Sequence, residues 1–291
     1  MADGFWKRLM HGTRRVIASA GWEDLAGRDW ADTILDRGVT DRFFAKQGRS
    51  IGRLALERDG ERLVVYLKRH YRLPRLHGML ALLHPTGDWS PGMGEHRNLE
   101  IARRLGMPVP RIAAAGEFIG PGLLLQSVLA VEELTGMLPL HEAVPLAQQR
   151  MSSSAFVAWK RGLTAELVRL SRLLHDRSWF HKDLYFCHFY LPEGATYQTP
   201  TNWPGQVYAI DFHRLARHRL SWPWWLAKDL GQLLYSSNVA GVTARDRLRF
   251  WRLYTHARCG FWMRLVRRVV ELRARTNQRH NQRRPQLPKA A

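Results

Sequence analysis

The stretch His181-Lys182-Asp183-Leu184-Tyr185-Phe186-Cys187-His188-Phe189-Tyr190-Leu191 decides the reading of this chain. It follows residues 155–175, where Leu163, Leu167, Leu170 and Leu174 recur at helical spacing and predict a long amphipathic helix. It runs into a short apolar strand, Phe189 to Leu191. Asp183 is therefore expected in a loop held between packed elements, rigid yet within reach of a substrate hydroxyl. Phosphoryl transfer needs a carboxylate so placed, to orient the accepting hydroxyl and take its proton late. Asp211 lies 28 residues further on, where the buried strand predicted over Val207 to Ile210 ends. Metal coordination offsets the cost of desolvating a carboxylate there. Two aspartates at adjacent strand ends would divide the work, Asp183 facing the acceptor and Asp211 facing Mg²⁺.

Outward from this segment the pattern changes character. Residues 1–40 read as an irregular or partly helical lead-in. Arg42 to Ala45, Ile51 to Glu57 and Leu63 to Leu67 predict a three-stranded antiparallel meander, with the Asp-Gly hairpin signal in Arg58-Asp59-Gly60-Glu61. Glu95 to Leu105 carries Leu99, Ala102 and Leu105 at helical spacing, with Gly106, Pro108 and Pro110 to stop it. Strands are predicted over 111–118 and 123–131, a polar loop over 192–206, and helices over 224–235, 243–256 and 261–275. Strands come first and helices later. The expected fold class is α+β, with a small antiparallel β-rich N-lobe over 41–134 and a larger α-helical C-lobe over 135–291 that ends in a basic tail.

Composition excludes several classes. With 45% hydrophobic and 11% aromatic residues among 291, the chain is globular. Its two cysteines, Cys187 and Cys259, form neither a metal-ligand spacing nor a disulfide framework, which fits a reducing compartment. No apolar run has the length of a membrane-spanning helix, and the first residues lack the apolar core of a signal peptide. A cytoplasmic protein is expected. The net charge of +20 attracts polyanions, and residues 245–291 hold fourteen Lys or Arg against two Asp or Glu. On the helix from Phe261, the positions Phe261, Leu265, Val269 and Leu272 share a face, with Trp262, Val266 and Val270 beside them. Arg264, Arg268, Glu271 and Arg275 share another. The apolar face is expected to pack on the C-lobe, leaving the arginines free to meet an anionic membrane surface.

The ordered motifs resemble those of protein kinases. Lys68 ends the apolar strand LVVYLK, and Glu95 opens the next helix. His181, Asp183 and His188 match the HxDxxxxN catalytic loop with His in place of Asn. Asp211-Phe212-His213 matches DFG with His in place of Gly. More closely, the chain resembles the lipopolysaccharide core kinases, the bacterial heptose and Kdo kinase family of WaaP/InaA type, over about residues 42–237. The strings Tyr66-Leu67-Lys68-Arg69-His70, His181 to Leu191, Ile210-Asp211-Phe212-His213-Arg214 and Lys228-Asp229-Leu230-Gly231-Gln232-Leu233 carry the likeness. Lys182 stands where these families usually have Arg.

The resemblance implies a two-lobed protein-kinase-like fold that uses ATP and Mg²⁺. Lys68, held by Glu95, would position the nucleotide phosphates, and Gly48 and Gly52 would lie in the phosphate-covering loop. Backbone groups at Glu132-Glu133-Leu134, Glu132 and Leu134 above all, would form the adenine hinge. Asp211 would hold Mg²⁺ with help from His188, Asp183 would orient a sugar hydroxyl, and Asp229 would tie down the catalytic loop. The implied acceptor is an envelope glycolipid of lipopolysaccharide-core type, met at the cytoplasmic face of the inner membrane. Two other readings stay open: a protein Ser/Thr/Tyr kinase with the same core chemistry, and a catalytically inert basic binding module. Nucleic acid is not the expected partner, because polyanion binding does not explain the order Lys, Glu, Asp, Asp.

Overall fold

The computed structural model describes residues 10–43, 48–83, 88–120, 123–256 and 261–282. The lead-in is partly helical as expected, but its described residues also hold a strand that was not expected, β1 (Thr13–Ala18). Its faces alternate weakly because it is an edge strand, exposed along most of its length. Two short helices follow, α1 (Trp22–Ala26) and α2 (Trp30–Thr33). They bury Trp22 and Trp30 edge to face, at 5.7 Å between ring centroids. These indoles belong to a core built with Leu54, Leu56, Val65 and Leu67.

The predicted meander is present as β2 (Thr40–Phe43), β3 (Arg49–Arg58) and β4 (Glu61–His70). The last part of the expected 42–45 strand lies outside the described residues. Asp59 and Gly60 both take left-handed angles, φ 53° and 82°, as a two-residue hairpin turn requires. A helix that the sequence reading omitted, α3 (Arg75–Leu83), comes next. The helix α4 (Pro91–Arg104) starts four residues before the expected Glu95, with proline at its first position. Strands β5 (Ile112–Ile119) and β6 (Leu125–Glu132) complete a six-stranded sheet of order β1-β5-β6-β4-β3-β2, antiparallel throughout. The N–H groups that open α4 are met by this sheet. Ser90 donates to Glu117 and Gly92 to Ser127, which fixes where the helix begins and so where Glu95 sits.

The chain divides into two compact units. The described residues as far as Ile101, with Pro110–Thr135, make the first, and Ala102–Val109 with the residues from Gly136 make the second. The second unit opens with β7 (Met137–Pro139) and α5 (Leu140–Arg150), then the long helix α6 (Ser153–His175), capped by the Ser152 hydroxyl. Short strands β8 (Trp179–Phe180), β9 (Phe189–Pro192), β10 (Tyr208–Ala209) and β11 (Ala216–Arg217) pair as β10-β9-β7 and β11-β8. Helices α7 (Trp222–Ser236), α8 (Ala244–Tyr254) and α9 (Phe261–Gln282) close the unit. Their core joins Val168, Phe180, Leu226, Leu230, Tyr254 and Val270.

Two glycines mark close approaches. A Cβ on Gly162 of α6 would lie 1.8 Å from the Trp203 indole nitrogen, so the loop between β9 and β10 is seated on that helix. The Gly205 N–H donating to Glu166 and the Trp159 indole donating to the Ala195 carbonyl hold it there. A Cβ on Gly231 of α7 would lie 2.7 Å from the Cβ of Arg273 on α9. The packing of α9 corrects the expected face. Val266 and Val270 turn inward, while Leu265, Val269 and Leu272 are exposed beside Arg264, Arg268 and Arg275. The side chains of Phe261 and Trp262 lie outside the described residues. No described helix is long and apolar enough to cross a membrane.

Candidate active site

Helix α7 holds the segment His181 to Phe186 with one polar face. Asp229, fully buried, accepts from the backbone N–H groups of His181 and Lys182, each at 2.8 Å. Gln232 accepts from the Leu184 N–H at 3.2 Å, and the Ser236 hydroxyl from the Phe186 N–H at 2.8 Å. Positions 229, 232 and 236 share a helix face because they are three and four residues apart. Asp229 does what was expected of it. Gln232 and Ser236 were not singled out, although polar residues at that spacing inside WLAKDLGQLLYS were the available signal.

The segment ending at Asp211 is fastened to the same loop. The Ile210 N–H donates to the His188 carbonyl, and the His181 ring donates from Nε2 to the Ile210 carbonyl, both at 3.0 Å. Burial keeps the His181 pKa below its ordinary value, so this ring stays neutral, with Phe212 against it at 4.7 Å. Lys182 and Asp211 both adopt left-handed backbone angles, φ 70° and 67°, a strain that non-glycine residues keep chiefly at functional sites.

The two carboxylates share one histidine, His213. His213 donates from Nδ1 to Asp211 at 2.7 Å and has its Nε2 3.9 Å from Asp183. His188 donates from Nδ1 to the Asp183 carbonyl at 2.8 Å, which turns Nε2 toward Asp211 at 3.8 Å. Burial would lower the His188 pKa, but the Cys187 hydrogen bond and charge, with the Asp211 charge, outweigh it and raise the pKa. Asp183 accepts from Arg214 on both oxygens, at 3.2 Å each, and from Gln232 at 3.4 Å. The sequence alone gives Arg214 no role, because its reach depends on the short 3₁₀ turn Phe212–Arg214.

Residues 42–254 match the family model for the lipopolysaccharide kinase (Kdo/WaaP) family. The chain belongs to that family. It is 28% identical over 167 residues to the lipopolysaccharide core heptose(I) kinase WaaP of Pseudomonas aeruginosa, covering 56% of this chain and 60% of that protein. It is 36% identical over 96 residues to the enzyme of the same description from Escherichia coli K12, covering 33% of this chain and 35% of that protein. The matches thus span less than two thirds of these curated relatives. A solved structure of WaaP in complex with acyl carrier protein superposes with a TM-score of 0.65 at 22% identity, covering 91% of this chain and 98% of that one. The fold is kinase-like, an antiparallel β region followed by a helical one.

The first unit of this Kdo/WaaP family member carries the other expected residues. Lys68, midway across the sheet, has its ammonium 2.6 Å from Glu95, whose carboxylate is only 6% exposed. Gly52 is buried within β3 opposite Leu67. Gly48 precedes that strand at φ 75°, and residues 44–47 between them and β2 lie outside the described residues. At the end of β6 the N–H groups of Glu132 and Glu133 are taken by the carbonyls of Arg111 and Val64, and Arg53 grips the Glu133 carboxylate on both oxygens. The Leu134 N–H has no partner among the described residues.

Asp211 suits a hard cation. One oxygen is held by His213 and the other lies toward His188 Nε2. Among the described residues no group of three or more His, Cys, Asp and Glu could enclose a metal ion. A Mg²⁺ ion on Asp211 would complete its shell with phosphate oxygens and water, as is usual for this ion.

Proposed function

We propose that this chain transfers the γ-phosphoryl group of ATP to a sugar hydroxyl of a lipopolysaccharide-core glycolipid. The observation that carries this reading is the pair Asp183 and Asp211, set side by side through His213, with Asp183 on a loop that α7 clasps. Family membership directs it to a sugar acceptor. Asp183, steadied by Arg214 and Gln232, orients the acceptor hydroxyl and takes its proton as the new O–P bond forms and the bond to ADP breaks. The Arg214 guanidinium, already on that carboxylate, lies where it can steady the charge of the moving group. Asp211, assisted by His188, would hold Mg²⁺, which when bound neutralises charge on the phosphates. Lys68, held by Glu95, serves the α- and β-phosphates. Gly48 borders the segment over 44–47 that covers them, with Gly52 beyond it inside β3, and the Glu132 carbonyl with the Leu134 N–H receives adenine.

The enzyme works as a peripheral protein at an anionic leaflet. Leu265, Val269 and Leu272 on α9 form an exposed apolar ridge among Arg264, Arg268 and Arg275. Leu220 ahead of α7 and Trp222 at its first position are exposed as well. Tryptophan and arginine suit the headgroup level, and each basic group near such a surface contributes about 1 kcal/mol.

The test is incubation with ATP, Mg²⁺ and the oligosaccharide obtained by deacylating lipopolysaccharide core, followed by ³¹P NMR. A new sugar phosphomonoester is expected, absent with Asp183→Asn. Phosphate appearing on protein hydroxyls and never on saccharide would make this a protein kinase. No transfer to either would leave the basic binding module.

A further inference from the structure

Beside Asp183 lies a group of cations that the proposed chemistry does not use. The Lys182 and Lys228 ammonium groups both sit over the Trp225 ring, 4.5 and 5.3 Å from its centroid. The His218 ring stacks on the same indole at 4.5 Å. Next to it the Arg273 guanidinium lies 3.7 Å from the centroid of Trp224, whose ring is more than half exposed. Trp224, Trp225, Lys228, Arg273 and Asn277 line a cavity of about 270 Å³. Everything around it belongs to the second unit.

The charges are unbalanced. Among the described residues neither lysine forms an ion pair. The carboxylates that act on them electrostatically are Asp183 and Asp229. Asp183 is gripped by Arg214, and Asp229 is filled by two backbone N–H groups and His175. Burial first, and then the Arg214 charge, push both lysines below their ordinary pKa. Cations held together without a counter-ion are relieved by an anion. Indole faces beside them offer the apolar surface that one side of a sugar ring covers. The cavity is below the usual size of sites for larger ligands, about 300–1,000 Å³, and suits one ring.

We propose that this cavity is an acceptor subsite for an acidic sugar, one bearing a carboxylate or a phosphate, next to the sugar that Asp183 serves. The subsite rests on the sugar-kinase reading and adds to it a basis for choosing the acceptor. The charged group meets Lys228 and Arg273, with Lys182 on the neighbouring indole, and the ring lies along Trp224. Lys228 and Arg273 select; they take no part in the transfer.

The experiment uses the full chain and the deacylated core oligosaccharide, either intact or after carboxyl reduction and dephosphorylation. Binding is read by titration calorimetry and saturation-transfer NMR. The Kd for the intact oligosaccharide is expected to rise at least tenfold in the double variant Lys228→Gln/Arg273→Gln. Lys228→Arg should bind as the wild type does, which separates lost charge from lost folding. The neutralised oligosaccharide should bind the wild type as weakly as the intact one binds the double variant, while the Kd for ATP stays unchanged. Equal binding of the two oligosaccharides, equal binding by the double variant, or no saccharide binding overturns the subsite. A fall in ATP affinity matching the fall in saccharide affinity also overturns it, because the cations would then serve nucleotide phosphates. Charge-dependent saccharide binding without any phosphoryl transfer would keep the subsite and remove the kinase reading.

Discussion

His213 faces both carboxylates of the site, and His188 ties the Asp183 backbone to the Asp211 side chain, so the two aspartates do not act in isolation. Asp183→Asn keeps the shape but cannot take a proton. The expected loss is about 10²–10⁴-fold in kcat, with the Kd for ATP unchanged, read by ADP release and calorimetry. Asp211→Asn should instead weaken binding of ATP in the presence of Mg²⁺ and leave metal-free ATP binding little altered. A wild-type rate in both variants on a true acceptor would refute the assignment. At this scale the ordered motifs made placement legible: Lys68 lies on Glu95, Asp183 and Asp211 both face His213, and Asp229 lies under the backbone of His181 and Lys182. Arg214 and the lysines on Trp225 were not legible, because their roles depend on where long side chains end in space.

Among the elements, α7 carries the greatest burden. Asp229→Ala would leave the N–H groups of His181 and Lys182 buried without acceptors, at about 1–3 kcal/mol each. Urea unfolding should show that loss together with collapse of activity. A second buried pair joins α6 to α8, with Lys160 2.6 Å from Asp246 and both side chains about nine-tenths buried. Asp246→Asn strands the lysine and should cost about 3 kcal/mol or more. Burial raises the Asp246 pKa, but hydrogen bonds from Lys160 and Thr243 outweigh it, so the folded value lies below the ordinary 3.8. A carboxyl with a depressed folded pKa stabilises fully above its unfolded pKa and loses that contribution as pH falls through the folded value. The stability gap between wild type and Asp246→Asn should therefore be constant near neutrality and narrow only below about pH 4. Long periodic helices such as α6 were legible from their leucines, and the hairpin from Asp59-Gly60. Edge strand β1 and helix α3 were missed because exposure and short length leave little periodicity to read. On α9 the stripe was visible, but its direction was fixed by Gly231, which admits Val270 and Arg273 rather than Leu265 and Val269.

Over the whole molecule a net charge of +20 and the exposed ridge of α9 act together. Co-sedimentation should show binding to anionic vesicles and not to neutral ones, weakening steeply with salt because charge is screened within about 8 Å at physiological ionic strength. Leu265→Gln/Leu272→Gln, or removal of residues 276–291, should lower that binding and spare ATP affinity. Equal binding to both lipids would refute the docking. The broad order of strands before helices was readable from the chain, since it follows from a change of period along the sequence. The clasp of α7 has one more effect, on time. The amide protons of His181, Lys182, Leu184 and Phe186 all end on three side chains of one helix. They have little scope to exchange with solvent one by one. In deuterated water these four should share a single slow rate and become labelled together each time α7 lifts, so the catalytic loop keeps the clock of the helix that holds it.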